Sequence, residues 1–363
     1  MKTWWRRSSL PPVSEAGGRA RGDSTGAPRT AETYTAAPGP EPRPVAVPEA
    51  PSELPSPSRQ VSPLASPTGG PVDSHVHVFP EEIINDRDAY LARDEWFEHL
   101  YRSPEARMVT AHEVVTHMDA AGVETSVVFG FAFRDQGLCR MVNDYVIEAA
   151  SRHPGRLAGL ACVSPEAPGA AAELERCLDL GLRGCGELMP DGQGFGRTWG
   201  AGSGVSGGFA GQPGRRKAEG LAALAHCLEE RHLPLLLHSN EPVGHHYAGK
   251  GDFTPGACFA LAQALPALTI VFAHMGGGLF LYELMPEVRA VLANVYYDTS
   301  AVPYLYGPEV YEVAVACAGA GKVLFGSDYP LLSPGRYQDG LARLGQADRA
   351  SVLAGNARKV FSL

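Results

Sequence analysis

From Val72 onward, the apolar positions fall into short runs of β-branched residues and leucine, separated by longer stretches with helical spacing. The short runs, at 72–78, 124–130, 157–163, 183–188, 234–238, 268–274, 294–298 and 322–326, have the length and composition of strands. Helical spacing covers 111–121, 139–153, 169–180, 218–231, 256–265, 278–292, 308–319 and 336–345, with a further helical region at 82–101. Eight strands, apolar on both faces and each followed by a helix, predict a closed (β/α)8 TIM barrel of the α/β class. A doubly wound open sheet is the runner-up, but no glycine-rich phosphate fingerprint follows the first strand.

Two segments break this rhythm. Residues 1–71 hold 14 of the 30 prolines and few large apolar side chains, so they cannot bury enough surface to offset the entropy of ordering. They are expected to form a disordered Pro-rich tail ahead of a barrel domain at 72–363. The second, Asp191 to Arg216, is a Gly-rich insertion after the fourth strand that carries Phe195, Trp199 and Phe209. It is expected to be a mobile loop at the barrel mouth, acting either as a lid or as an inert insertion.

The first strand carries its polar groups at alternate positions. Asp73, His75 and His77 point to one face, and Val72, Val76 and Val78 to the other. Two imidazoles on one strand face make a metal clamp, although such a pair alone identifies little. The barrel prediction adds partners, because an active site lies at the C-terminal ends of the strands. There the fourth run ends in Glu187, the fifth in His238, the sixth in His274 and the eighth in Asp328. A histidine after a run of leucines is by itself an ordinary core residue. Six ionisable groups at strand ends are not, since each costs several kcal/mol when buried without a partner. Imidazoles with carboxylates suit a borderline divalent ion, Zn²⁺ first, with Mn²⁺ or Fe²⁺ as alternatives and Ca²⁺ or Mg²⁺ disfavoured.

At these residues the chain resembles the amidohydrolase superfamily, and within it the amidohydrolase-2 group that includes aminocarboxymuconate semialdehyde decarboxylase. The resemblance spans 72–363 and rests on D-S-H-V-H, G-E-L, L-L-L-H-S-N-E-P, F-A-H-M-G-G, F-G-S-D-Y-P and G-N-A-R-K-V-F, taken in order. It implies that His75, His77, His238 and Asp328 hold a metal, with His274 beside the metal-bound water. Two-metal relatives usually carry a carboxylated lysine on the fourth strand, where this chain has Glu187. That difference favours one metal, or at most a Glu-bridged pair, and leaves Glu187 as a ligand, an orienting group or a substrate contact. In the loop after the fifth strand, His245, His246, Tyr247 and Lys250 are candidate substrate contacts. Arg336, Ser300, Tyr304 and Tyr306 are further candidates on pocket-lining positions, and Asn356 reads as a helix cap.

The leading expectation is a metal-dependent hydrolase in which the ion lowers the pKa of a bound water toward ~7, acting on a small amide, lactone or ester. Asp328 and His274 would handle the proton. The alternative is decarboxylation or hydration of an unsaturated carboxylic acid, which needs a cation to grip the carboxylate, with Lys250 and Arg336 as candidates. A catalytically inactive barrel serving as a binding module is the third reading. Net charge is −9, with no basic stripe after residue 71, which argues against nucleic acid. No apolar run has the length of a membrane span, and Met1 to Arg7 lead into no apolar h-region. The seven cysteines stand singly in apolar segments, as reduced core residues of a cytoplasmic protein do. A small-molecule substrate is the expected partner, and self-association is left open. Deleting residues 1–71 is expected to leave folding and activity intact, so a fall of several degrees in Tm on truncation would refute a dispensable tail.

Overall fold

The computed structural model describes residues 69–199 and 215–363, with the backbone alone for 215–218. The remainder of the Pro-rich segment, and residues 200–214 of the Gly-rich insertion, including Phe209, lie outside the described residues. Eight parallel strands occur in the expected order: β1 (Val72–His77), β2 (Thr125–Phe129), β3 (Leu157–Gly159), β4 (Cys185–Leu188), β5 (Leu235–Leu237), β6 (Ile270–Phe272), β7 (Val295–Asp298) and β8 (Val323–Leu324). They pair as two arcs, β1-β2-β3 and β4 through β8. Parallel bridges at Ala161–Cys185 and Val76–Tyr329 join the arcs. Backbone bonds from Gly186 N to Ala161 O (2.8 Å) and from Ser74 N to Phe325 O (2.8 Å) close the ring. The architecture is the predicted (β/α)8 TIM barrel.

Local chemistry explains the helix boundaries. Helix Ala111–Ala121 starts at a capping box, in which Thr110 and Glu113 satisfy each other's backbone N–H, and ends at Gly122 in the left-handed region (φ 72°). Its Ala111, Val114, Met118 and Ala121 form one buried stripe. Asp135 caps helix Gln136–Arg152 by accepting from Gly137 N and Leu138 N. The predicted helical region at 82–101 is three short helices, Glu81–Asn85, Arg87–Leu91 and Glu95–Tyr101. Asp94 caps the last of these through Trp96 N (3.0 Å) and Phe97 N (2.9 Å), while its other oxygen takes Arg134 N (2.9 Å). One buried carboxylate therefore fixes the loop after β1 to the loop after β2.

Four expectations need correction. Residues 69–71 belong to the barrel: Pro71 O accepts from Glu124 N (2.9 Å), Gly70 N donates to the Glu124 carboxylate, and Arg358 holds Gly70 O (3.2 Å). The deletion that tests the tail therefore ends at Thr68. The predicted helix at 278–292 is a 3-10 segment, His274–Leu284, followed by a short helix, Pro286–Val291. Its start runs through left-handed backbone from His274 to Gly278, which the three glycines permit and which no right-handed helix can continue. Residues Asp191–Trp199 are not a mobile lid, because Phe195 and Trp199 are buried and Gln193 Nε2 donates to Val163 O (2.8 Å) and Phe133 O (3.1 Å). Asn356 does not cap a helix; its amide donates to Ala320 O and Val323 O (both 2.7 Å) and so fixes the start of β8.

Replacing Asp94 by Ala removes the cap and leaves Arg134 N unpaired. The expected loss is about 1–2 kcal/mol in denaturant unfolding, against about 0.5 kcal/mol or less for the neighbouring exposed Glu95→Ala. Equal midpoints for the two variants would show that Asp94 does not hold the two loops together.

Candidate metal centre

The barrel delivers six of the predicted side chains to one buried cluster. His75 and His77 leave β1 on the same face, and Glu187 leaves β4; His238 directly follows β5, and His274 and Asp328 lie in the turns after β6 and β8. Glu187 Oε2 lies 3.6 Å from both His75 Nε2 and His77 Nε2. Asp328 Oδ1 lies 3.3 Å from His77 Nε2 and 3.7 Å from His75 Nε2. The other oxygen, Glu187 Oε1, is 3.1 Å from His238 Nδ1 and 3.7 Å from His274 Nε2, and those two nitrogens are 3.0 Å apart.

Outer acceptors decide what the imidazoles present to this cluster. His75 Nδ1 faces Asp298 Oδ2 (2.9 Å), so that nitrogen carries the proton and Nε2 is left as a buried lone pair with no hydrogen-bond partner. His274 Nδ1 faces the Ser300 carbonyl (3.0 Å), which likewise leaves Nε2 as an inward lone pair. His238 Nε2 faces Gly249 O and Asn240 Oδ1 (both 3.2 Å), leaving Nδ1 inward. The cluster is thus built from acceptors that point at one another, an arrangement that needs positive charge at its centre. Donors held about 2.1 Å from one ion stand ~3.0 Å apart at right angles and ~3.4 Å apart at tetrahedral angles. The separations of 3.0–3.7 Å fit that spacing. The residues present could therefore hold a divalent ion.

The pKa shifts report the same demand. Burial works against a charged His75, yet the carboxylates of Asp298 and Glu187 outweigh it and raise its pKa well above the ordinary imidazole value. Burial alone would raise Glu187, but His75 and His238 bring it well below the usual carboxylate range. Asp328 is likewise opposed by burial and brought down to about 2 by the His77 hydrogen bond and the charge of His75.

Two of these residues hold strained backbone. His274 (φ 56°) and Asp328 (φ 60°) lie in the left-handed region, at about 1–2 kcal/mol each for a residue with a Cβ. Hydrogen bonds fix both turns: His274 N donates to Asp298 Oδ1 (3.1 Å), Asp328 N to His75 O (2.9 Å), and Ser327 N to Asp73 Oδ1 (2.8 Å). The strain turns each side chain into the mouth rather than along the strand.

Above the cluster opens a cavity of about 410 Å³, walled by Leu100, Tyr101, Tyr247, Tyr304, Leu305 and Leu331 and floored by His77, Glu187, His238, His274 and Asp328. His245 and Tyr247 line it as expected, and His246, which is exposed, does not. Lys250 turns away, its ammonium donating to Val243 O (2.7 Å) and His245 O (3.0 Å), where it holds the loop together. Arg336 is exposed and lines no part of the cavity. Ser300 lies buried beneath His274, and Tyr306 donates to Glu241 (3.2 Å) instead of lining the cavity.

Sequence reasoning missed two residues. Asp298 ends the apolar run of β7, so the rule that found the other strand ends applies to it as well. Arg107 is the sole arginine or lysine among the described residues that line the cavity, with its guanidinium 5.7 Å from the Tyr329 ring centre. It sits in an irregular segment after β1, where periodicity carries no signal.

The sequence profile of the family described as Amidohydrolase matches residues 72–363. The chain belongs to the amidohydrolase-2 family. Comparison with the curated proteins finds no match. Among solved structures, this amidohydrolase is similar to 5-carboxyvanillate decarboxylase from Sphingomonas paucimobilis (18% identity, TM-score 0.61, covering 81% of this chain and 99% of that one). It is also similar to 2,6-dihydroxybenzoate decarboxylase from Rhizobium (21%, TM-score 0.57, 81% and 98%). A third is dihydroxybenzoic acid decarboxylase from Polaromonas sp. JS666, solved with bound manganese and the inhibitor 2-nitroresorcinol (21%, TM-score 0.57, 81% and 97%). At these identities the likeness establishes the fold. No helix among the described residues is long and apolar enough to cross a membrane. All seven cysteines of this amidohydrolase are buried and free.

The shifts predict how the metal-free protein responds to pH. A raised His75 pKa stabilises the fold fully below the ordinary imidazole value, and that contribution is lost as pH rises through the raised one. Asp328, with its pKa lowered, contributes above the ordinary carboxylate value and loses this only as pH falls toward about 2. Chelator-treated protein should therefore lose Tm on the alkaline side of neutrality, and saturating Mn²⁺ should abolish the loss. Calorimetry across that range checks it, and matching alkaline profiles with and without metal would contradict it.

Proposed function

We propose that the protein is a metal-dependent decarboxylase of a planar, aromatic or unsaturated carboxylic acid. The observation that carries this reading is the pairing of a cation-demanding acidic floor with apolar, aromatic walls and one guanidinium, Arg107, at the mouth. That combination suits an anion with a flat apolar body. The decarboxylase descriptions of the similar structures support the same chemistry. Imidazoles and carboxylates suit Mn²⁺, Zn²⁺ or Fe²⁺, and the manganese in the Polaromonas structure favours Mn²⁺ over the Zn²⁺ expected from donor types alone.

When bound, the ion supplies positive charge that stabilises negative charge developing on a substrate oxygen. The chain's own residues do the rest. Arg107 pairs with the substrate carboxylate at the rim, and Leu100, Tyr101, Tyr304 and Leu305 pack against its apolar body. Asp328 faces the cavity as a carboxylate near neutrality. It takes a proton from a substrate hydroxyl and returns it to the carbon that CO₂ leaves, so the proton consumed there is accounted for. His274 stays where Ser300 and Asp298 fix it, beside His238. Hydrolysis of a lactone, ester or amide is the second reading, because a carboxylate that stays ionised at the cavity floor beside the imidazole cluster can also accept the proton of an attacking water.

A panel of aromatic hydroxyacids, muconate-type acids and lactones, assayed for released CO₂ against released acid, separates the two. Arg107→Ala is expected to raise KM about 10- to 100-fold, the equivalent of one charge-assisted hydrogen bond. Asp328→Asn is expected to keep metal at least in part and to lose kcat by orders of magnitude. Acid release without CO₂ from the panel would favour hydrolysis, and unchanged KM in the Arg107 variant would remove it from substrate binding.

A further inference from the structure

Behind one corner of the cavity lies a carboxylate that belongs neither to the floor nor to the lining. Glu241, in the loop that follows β5, is only 9% exposed. Its Oε2 accepts from the Tyr247 hydroxyl (2.9 Å) and its Oε1 from the Tyr306 hydroxyl (3.2 Å). Burial, and then the Glu241 charge, raise the pKa of both phenols, so they remain O–H donors near neutrality. Tyr247 is itself part of the cavity wall, and Tyr306 directly follows two other wall residues, Tyr304 and Leu305. We propose that Glu241 is a positioning residue that fixes these two stretches of wall relative to each other, and that the slot so formed selects a planar acid over a puckered one of the same charge. The proposal rests on the reading of the substrate as a flat anion, and it names the part of the fold that recognises flatness.

The backbone makes Glu241 the fixed end of this tie. Ser239 Oγ donates to Ala273 O (2.5 Å), Asn240 N donates to Phe253 O (3.0 Å), and Asn240 Oδ1 accepts from Gly251 N (2.9 Å). Gly277 closes in from the turn after β6, where a Cβ would stand 2.1 Å from Asn240 O and 3.2 Å from Glu241 N. The residues beyond Glu241 are held differently. From Pro242 to Ala248 every residue except Tyr247 is exposed, and the Lys250 ammonium stitches this stretch to itself through Val243 O and His245 O. The bond to Glu241 is therefore what seats the Tyr247 ring against the wall. A buried carboxylate holds such donors firmly, since release of either phenol leaves a charged oxygen unpaired. One carboxylate thus couples the loop after β5 to the segment after β7, and neither ring moves outward without that cost. A benzene ring is thinner than a cyclohexane ring, so a fixed wall admits the first and must yield to admit the second.

The test uses the full-length chain with Mn²⁺ present and two probes of equal charge, benzoate and cyclohexanecarboxylate, with dissociation constants measured by titration calorimetry. Wild type is expected to favour benzoate about tenfold. Tyr306→Phe removes one side of the tie without altering the cavity lining, and it should bring that preference to about threefold or less, as should Glu241→Ala. Glu241→Gln can still accept from one phenol and donate to the other, so its preference should stay within about twofold of wild type. Full preference in both Tyr306→Phe and Glu241→Ala overturns the proposal. Equal weakening of both probes in these variants also overturns it, because that marks a role in stability alone. These outcomes leave the flat-anion reading standing. A wild type that does not favour benzoate, or that binds neither probe, overturns that reading together with this one. Where Glu241→Ala fails to fold by circular dichroism, Tyr306→Phe decides the matter.

Discussion

The structure depends on a buried concentration of acceptors that cannot neutralise one another. Glu187 sits at its centre, almost fully buried, with imidazoles at both of its oxygens and Asp328 across from it. Burying such a set without positive charge costs several kcal/mol per ionised group. The pKa shifts show the metal-free chain drawing protons onto His75 to compensate. A divalent ion bound at this cluster would compete with those protons for the same atoms, and would thereby couple folding, metal loading and pH.

The barrel makes this arrangement sustainable by spreading these side chains over different strands and fixing most of them from behind. Asp298 holds His75, Ser300 holds His274, Asn240 and Gly249 hold His238, and Asp73 holds the turn that carries Asp328. Three of these supports reach across from other strands, Asp298 from β7, Ser300 from the end of β7 and Asp73 from β1, while Asn240 and Gly249 belong to the loop of His238 itself, so the geometry of the centre depends largely on closure of the ring. The left-handed backbone at His274 and Asp328 persists for the same reason, since the surrounding bonds leave these residues no relaxed alternative.

Above this floor the walls are of a different chemistry. The segments after β1, β5, β7 and β8 contribute leucine and tyrosine, with Arg107 as the single arginine or lysine among the described lining residues. A polar floor under apolar walls, with Arg107 at the rim, is the arrangement that the proposed amphipathic anion requires. The loops set the shape of the cavity, and the strand ends set its reactivity.

The sequence by itself determined the eight-stranded barrel and most of the floor. Strand spacing is a local property, and a buried ionisable residue at the end of an apolar run is visible without coordinates, as His238 and His274 were. The same rule reached Glu187 and Asp328, and it reaches Asp298 once β7 is given the same reading. Tertiary structure alone decided which nitrogen of each histidine faces inward, because that depends on acceptors from other strands, such as Ser300 O for His274. It also decided how Glu187 shares its two oxygens, which loop residues face the cavity, and that Arg107 rather than Lys250 or Arg336 lines it. Loop side chains have no periodicity to fix their direction, so their roles emerge only when the ring closes and brings distant strand ends within a few ångströms.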